Sequence, residues 1–133
     1  MNIGRRYTFA AGHHLPNHNG MCRRQHGHNY VLEVEVRGPI KSAKPSASDE
    51  GMVIDFKDLD QAVKVVLKRV DHFDFNLDNI MEREDLPTTA ENILMWMVGE
   101  LETQLFNVTQ TNEVRLSRVR LWETERSYAE WRE

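Results

Sequence analysis

The most regular pattern of apolar and polar residues in the chain covers residues 28–37. Apolar side chains alternate there with charged ones, which is the period-two pattern of a strand that buries one face. The buried face comprises Tyr30, Leu32, Val34 and Val36. An earlier strand is predicted over residues 3–11, where β-branched and aromatic residues are mixed, and the polar segment 17–25 between the two strands is predicted to be a loop.

Residues 38–51 are rich in serine, proline, lysine and glycine, and we expect them to form a mobile connection. Residues 52–56 are apolar again and predict a short strand. Together these segments predict a β-hairpin.

Two helices are predicted next. Residues 58–70 place Leu59, Val63, Val66 and Val70 at helical spacing, which gives one apolar face. For residues 88–106, Thr88 and Glu91 match the S/T-x-x-E capping box that marks the start of a helix. The apolar stripe of this second helix consists of Ile93, Met97, Leu101 and Leu105, which we interpret as core packing.

A last strand is predicted over residues 113–123. Its apolar positions change parity between Leu116 and Val119, which indicates a β-bulge or burial on both faces. The order strand, strand, strand, helix, helix, strand predicts one α+β domain over residues 1–133. Its four-stranded antiparallel sheet would carry both helices on one face.

Composition narrows the possible functions. The chain has 133 residues, 40% hydrophobic and 29% charged, and contains no apolar run of the roughly 20 residues that a membrane helix needs. The first residues lack the apolar segment of a secretory signal, and a single cysteine cannot form an internal disulfide, so we expect a cytoplasmic protein. The formal net charge of −4 argues against a nucleic-acid binder and favours small-molecule chemistry.

The histidines near the second strand suggest a metal site. His26 and His28 have the parity of Tyr30, so both imidazoles would extend the buried face of this strand, where they need partners. A third histidine, His13 or His14, ends the first strand and can reach across. Three histidines with an open fourth position describe a catalytic zinc site. His18 lies in the polar loop and is expected to face solvent.

The single cysteine, Cys22, precedes His26 by four residues and lies in the polar loop beside Arg23 and Arg24. Positive charge close to a thiol favours the thiolate. Two roles are open: a fourth metal ligand that closes the site, or a reactive group beside an open site. We favour the reactive role, because structural zinc sites more often use several cysteines.

Six segments, in order along nearly the whole chain, are similar to the 6-pyruvoyl tetrahydropterin synthase-like family. They read F-A-A-G-H-H-L-P, C-R-R-Q-H-G-H-N-Y, G-M-V-I-D-F-K-D-L, V-D-H-F-D-F-N, P-T-T-A-E-N and W-E-T. The roles that this resemblance implies are zinc ligands for His13, His26 and His28, catalysis for Cys22, Asp71 and His72, and anchoring of the pterin ring for Glu123.

The resemblance also implies the fold, assembly and reaction. The implied fold is a T-fold whose sheets join into a β-barrel, in a homo-oligomer, a hexamer, with active sites between subunits. The implied substrate is dihydroneopterin triphosphate, and zinc is the implied cofactor. The short interval C-x-x-x-H-G-H is similar to that of the bacterial 6-carboxy-tetrahydropterin synthases of queuosine biosynthesis. Alternatives are a pyruvoyl-forming or other side-chain lyase, and a non-catalytic zinc-binding protein.

Overall fold

The protein is described by a computed structural model that covers residues 1–43 and 47–133. The elements are strands β1 (Asn2–His13), β2 (His26–Arg37), β3 (Phe73–Asp74), β4 (Arg115–Trp122) and β5 (Tyr128–Arg132), helices α1 (Phe56–Val70) and α2 (Ala90–Thr109), and a 3₁₀ turn at Met21–Arg23. No helix in the described residues combines the length and apolarity that crossing a bilayer requires.

The five strands form one mixed sheet in the order β3-β1-β2-β4-β5. All neighbouring pairs are antiparallel except β1 and β3, which are parallel. The register of β1 and β2 places His13 directly opposite His26. This pairing brings the end of the first long strand beside the start of the second, where the candidate site lies.

Both helices pack on one face of the sheet and share a single hydrophobic core with it. The alternation predicted for residues 28–37 is confirmed, because Tyr30, Leu32, Val34 and Val36 are all buried. The apolar stripes predicted for the two helices also face this core. On the opposite face of the sheet, interleaved ion pairs join β2, β4 and β5, among them Arg118 with Glu35 and Arg120 with Glu130.

The predicted change of parity in the last strand is confirmed as a β-bulge. Glu35 pairs with Arg118, whereas the next residue, Val36, pairs with Leu116. Ser117 is therefore the extra residue on β4, and its hydroxyl lies 3.2 Å from Glu35 Oε1. The bulge allows Leu116 and Val119 to point into the same core although their spacing is odd.

The predicted strand over residues 52–56, and with it the hairpin, was wrong. Residues 48–51 form a turn, Val53 and Ile54 are both buried, and α1 already begins at Phe56. The Asp55 side chain caps this helix by accepting a hydrogen bond from the Lys57 backbone at 2.9 Å. The cap and the start of α1 therefore occupy the last two positions of the predicted strand. Within the predicted loop 38–51 the described residues form no helix or strand, and residues 44–46 lie outside the described part.

Two strands of the sheet were not predicted. The two-residue β3 is too short to show a period, and β5 follows β4 after a tight turn. The antiparallel part of the sheet therefore has four strands, as predicted. Its fourth strand is β5, however, and not the strand predicted over residues 52–56. The α+β class with both helices on one face is confirmed.

The start of α2 differs by one residue from the predicted capping box. Thr89 is the N-cap, and its hydroxyl accepts from the Asn92 backbone at 3.3 Å. The neighbouring Thr88, which the pattern assigns to the cap, is 4% exposed and is hydrogen bonded inside the fold. Two adjacent threonines offer the same local signal, and tertiary burial of one leaves the other as the cap.

Replacing Thr89 with alanine is expected to lower the free energy of unfolding by about 1 kcal/mol, because α2 loses the side chain that satisfies a backbone N–H of its first turn. Urea denaturation measures this change. Thr103→Ala is the matched control in the same helix, because its exposed hydroxyl only bonds back to the Gly99 carbonyl. Equal unfolding midpoints for the two variants would contradict the assignment of Thr89 as the cap.

Candidate active site

Three histidines meet where β1 ends and β2 begins. His13 lies on β1, and His26 and His28 lie two residues apart on β2, so all three rings point to the helix-facing side of the sheet. The ring centroids are 4.6–5.0 Å apart. One ring nitrogen from each histidine lies within 4.8 Å of the other two. The sequence placed these residues together, and the structure shows the cluster.

Backbone carbonyls orient two of the three rings. His13 Nδ1 donates to the Thr88 carbonyl at 2.7 Å, and His26 Nδ1 donates to the Arg24 carbonyl at 2.7 Å. Each of these bonds places the ring proton on Nδ1 and leaves the lone pair of Nε2 available to another partner. His13 Nε2 lies 3.1 Å from His28 Nε2, so the rings converge on one point.

Burial favours the neutral form of two of the three rings. Removal from water lowers the pKa of His13, which is 2% exposed, and the bond to Thr88 and the Glu123 carboxylate oppose this effect without cancelling it. Burial also lowers the pKa of His28. A base whose pKa falls below its usual value stays unprotonated at neutral pH. Both imidazoles therefore present lone pairs, which is the form that binds a metal.

The donor set suits a metal ion of the zinc type. Three imidazoles converge, and two of them have their second nitrogen held by a carbonyl, as is usual for metal-binding histidines. Convergent lone pairs without a cation between them would repel each other. These three histidines can therefore hold a metal ion and leave a further position open.

The structure resolves which histidine of the pair at the end of β1 belongs to the cluster. His13 does, whereas His14 Nδ1 lies 2.9 Å from Gln25 Oε1, outside it. His18 is exposed, as predicted, and its Nδ1 accepts a hydrogen bond from the Gly20 backbone.

A carboxylate faces the cluster from the neighbouring strand. Glu123 follows β4 and has the parity of the buried Leu121, and it points toward the histidines. Its two oxygens lie 3.9 Å from His13 Nε2 and 3.9 Å from His28 Nε2. The chain reverses directly afterwards, with the Glu123 backbone N–H bonded to the Ser127 carbonyl. Glu123 is partly exposed and remains accessible to a ligand.

Cys22 lies in the 3₁₀ turn Met21–Arg23, close in sequence to His26, and its thiol is free and half-buried. Its carbonyl accepts from the Leu15 backbone at 2.8 Å, which ties this turn to the segment that follows β1. In the part of the chain that the structure describes, the group of side chains able to share a metal consists of the three histidines and does not include Cys22. The open-site alternative for the thiol therefore fits the geometry better than a fourth ligand.

Asp71 and His72 form a pair at the edge of the sheet. His72 Nδ1 lies 3.0 Å from Asp71 Oδ1, and Asp71 Oδ1 also accepts from the Ala10 backbone at 3.0 Å. The hydrogen bond from the Ala10 backbone is the main cause that holds the pKa of Asp71 below its usual value, and the bond to His72 acts in the same direction. His72 is 83% exposed and has φ of 65°, a left-handed conformation that is uncommon outside glycine and concentrates at functional sites.

A cleft of about 480 Å³ opens beside this pair. Gly12 and Gly27, which face each other across β1 and β2, contribute to its wall together with His28, Asn29, His72 and Asp74. No hydrogen bond, ion pair or ring contact within residues 1–43 and 47–133 joins His72 to Cys22 or to the three histidines. A single chain thus presents His72 at a surface cleft that His28 also lines, without a direct contact between His72 and the histidine cluster in the described residues.

Sequence reasoning missed two residues that shape this site. Thr88 orients His13 through its carbonyl, and Asn76 binds the backbone of His14. Neither is visible as a candidate from local pattern, because their roles depend on contacts across more than 60 positions in sequence. The only sequence signal is that both fall in segments that carry the family resemblance.

Comparisons with known proteins agree with this geometry. The family model described as 6-pyruvoyl tetrahydropterin synthase matches residues 2–133. The chain is 33% identical to the 6-carboxy-5,6,7,8-tetrahydropterin synthase of Haemophilus influenzae, with 98% of each protein covered. It is 36% identical to a putative 6-carboxy-5,6,7,8-tetrahydropterin synthase of Archaeoglobus fulgidus, covering 99% of this chain and 96% of that protein. Among solved structures, Caenorhabditis elegans 6-pyruvoyl tetrahydropterin synthase superposes with a TM-score of 0.80 at 26% identity, covering 100% and 95% of the two chains.

Proposed function

The chain belongs to the 6-pyruvoyl tetrahydropterin synthase family, and from this premise we propose that it is a 6-carboxy-5,6,7,8-tetrahydropterin synthase of queuosine biosynthesis. It converts 7,8-dihydroneopterin triphosphate and water to 6-carboxytetrahydropterin, acetaldehyde and triphosphate in the cytoplasm. The observation that carries the proposal is the convergence of His13, His26 and His28 with the Glu123 carboxylate beside them. Full-length similarity to relatives of that name supports the choice of product.

The three histidines are proposed to hold zinc. His13 and His26 present Nε2 because Thr88 and Arg24 carbonyls occupy their Nδ1 protons. Zinc bound there supplies a Lewis acid that polarises the hydroxyl groups of the substrate's side chain. Burial of His13 among protein groups keeps protons from competing for its lone pair.

Cys22 and the Asp71–His72 pair are proposed to move protons. Cys22 Sγ, as thiolate, would accept a proton from the substrate's side chain. His72 Nε2 would act as the acid–base counterpart of Cys22. Asp71 fixes the role of His72, since its carboxylate holds Nδ1 at 3.0 Å and leaves Nε2 for the substrate. The bond from the Ala10 backbone in turn fixes Asp71 to β1.

Glu123 is proposed to anchor the pterin ring. A carboxylate can accept two hydrogen bonds from the guanidine-like edge of a pterin, and this bidentate geometry orients the ring as well as binding it. The closeness of Glu123 to the histidines would place the ring's side chain within reach of the metal.

We further propose that the active site is completed between subunits of a homo-oligomer, a hexamer in which sheets join into a barrel. In the described residues no hydrogen bond, ion pair or ring contact joins His72 of one copy to its own Cys22 or histidines, and His72 is exposed at the sheet edge. A second copy that supplies its Asp71–His72 pair would complete the acid–base set.

Product analysis tests the activity. Zinc-loaded protein incubated with dihydroneopterin triphosphate is expected to yield acetaldehyde and 6-carboxytetrahydropterin in equal amounts, because side-chain cleavage releases two carbons as the aldehyde. Acetaldehyde is measured by coupled oxidation of NADH with alcohol dehydrogenase, and the pterin by liquid chromatography with mass spectrometry.

The metal-stripped protein serves as the control and should form neither product. Recovery of a 6-pyruvoyl product without acetaldehyde would replace the proposed activity by that of the pyruvoyl-forming branch. A side-chain aldehyde other than acetaldehyde would indicate another lyase on the same scaffold.

A further inference from the structure

The chain after α1 returns along the free edge of β1 and extends the sheet as a ladder. The His72 N–H donates to the Ala10 carbonyl at 2.7 Å, and the Phe75 N–H donates to the Gly12 carbonyl at 2.9 Å. The next rung lies at His14, and there a side chain replaces the main chain. Asn76 Oδ1 accepts from the His14 N–H at 2.9 Å, and Asn76 Nδ2 donates to the His14 carbonyl at 3.0 Å.

This double hydrogen bond has only one consistent orientation of the amide. The His14 N–H requires an oxygen opposite it, and the His14 carbonyl requires an N–H, so the Oδ1 and Nδ2 positions of Asn76 are fixed by the partners. The Asn76 backbone is itself held, since its N–H donates to Asp74 Oδ1 at 2.9 Å. Asn76 therefore acts as a rigid clamp on the peptide that directly follows His13.

The same amide also contacts the group that orients the His13 ring. Thr88 Oγ1 lies 3.0 Å from Asn76 Oδ1 and 3.1 Å from the His14 carbonyl, and its single proton is donated to one of them. The Thr88 carbonyl accepts from His13 Nδ1 at 2.7 Å. Asn76 thus fixes both the main chain beside His13 and the residue that sets the direction of its ring.

We propose that Asn76 is a positioning residue of the metal centre, which sets the place and direction of His13 Nε2. This role rests on the proposed metal site. The last residues of a strand fray unless they are tied down, and His13 is the last residue of β1. A ligand must be held within about 0.5 Å for tight metal binding, and a supporting shell of hydrogen bonds provides this precision.

The test compares Asn76→Asp and Asn76→Ala with the wild type. The aspartate has the same shape and keeps an acceptor for the His14 N–H, but it places a carboxylate oxygen against the His14 carbonyl. We expect both variants to bind zinc about 10- to 100-fold more weakly, as is typical when partners of metal ligands are removed. Competition with a chromophoric chelator measures this affinity. The visible spectrum of the Co²⁺-substituted protein should also change, because it reports the ligand geometry.

Asn107→Asp and Asn107→Ala are matched controls on the exposed side of α2 and should leave the affinity and the spectrum unchanged. Because Asn76→Ala removes both bonds and can prevent folding, Thr88→Val provides a second route: it removes the hydroxyl and keeps the carbonyl that holds His13. It should weaken zinc binding in the same direction.

Zinc affinity within twofold of the wild type and an unchanged Co²⁺ spectrum in the folded variants would overturn the proposal, even if their melting temperatures fell, since Asn76 would then only stabilise the fold. A wild-type protein that binds no stoichiometric zinc would overturn the metal centre itself, and the role of Asn76 with it. The two failures are therefore distinguishable.

Discussion

The variant His28→Ala is expected to lose stoichiometric zinc and with it all measurable turnover. His28 Nε2 lies 3.1 Å from His13 Nε2 at the centre of the cluster, and two imidazoles cannot enclose a metal ion as three do. Removal of a partner of a ligand typically costs about 10- to 100-fold in affinity, so removal of the ligand should exceed about 100-fold. Metal content by mass spectrometry and chelator competition measure the loss.

His28 suits this test better than His13. It is only partly buried, whereas His13 is 2% exposed and its removal would leave a cavity inside the fold. His18→Ala is the matched control, because His18 is exposed and outside the cluster. Retention of one zinc per chain with unchanged affinity in His28→Ala would exclude the three-histidine centre.

The variant Cys22→Ala is expected to retain zinc at one ion per chain while turnover falls by about 10²- to 10⁴-fold, the range for loss of a general acid or base. The reason is geometric: Cys22 lies in a separate 3₁₀ turn, and the group of side chains able to share a metal comprises His13, His26 and His28. Steady-state formation of acetaldehyde and zinc analysis on the same preparation measure the two quantities.

This experiment separates an enzyme from a non-catalytic zinc-binding protein. If Cys22 were a fourth ligand that closes the site, Cys22→Ala would release zinc or weaken its binding strongly. Thr103→Ala, at an exposed position on α2, provides a control preparation with its cysteine intact. Full turnover by Cys22→Ala would remove the thiol from the mechanism and leave His72 as the remaining candidate for proton transfer.

The two predictions draw on different parts of the site. The histidines depend on the pairing of β1 with β2, which the register fixes within one chain. The residues proposed to transfer protons lie elsewhere: Cys22 in the 3₁₀ turn and His72 at the edge of the sheet. In the described residues no hydrogen bond, ion pair or ring contact joins His72 to the histidine cluster. Metal binding is therefore expected in any folded copy, whereas turnover is expected to need the assembled oligomer.

Strands and helices with a clear period could be predicted from the sequence, because burial on one face imposes a period of two or 3.6 on the residues themselves. Tyr30 to Val36 and the stripe from Ile93 to Leu105 are examples. The same parity placed His26, His28 and Glu123 on the buried face of their strands. The family resemblance then supplied the chemistry that these residue types can perform.

Features that depend on distant partners could not be predicted without the three-dimensional fold. Because Thr88 is buried, Thr89 and not Thr88 caps α2. Asp55 caps α1, so that the helix begins where the sequence predicted the end of a strand. The pairing of β1 with β2 selected His13 over His14, and the docking of Asn76 on His14 created a clamp that no local pattern shows. The physical reason is the same in each case. A hydrogen bond between residues far apart in sequence depends on which segments come into contact in the fold, and local periodicity does not show this.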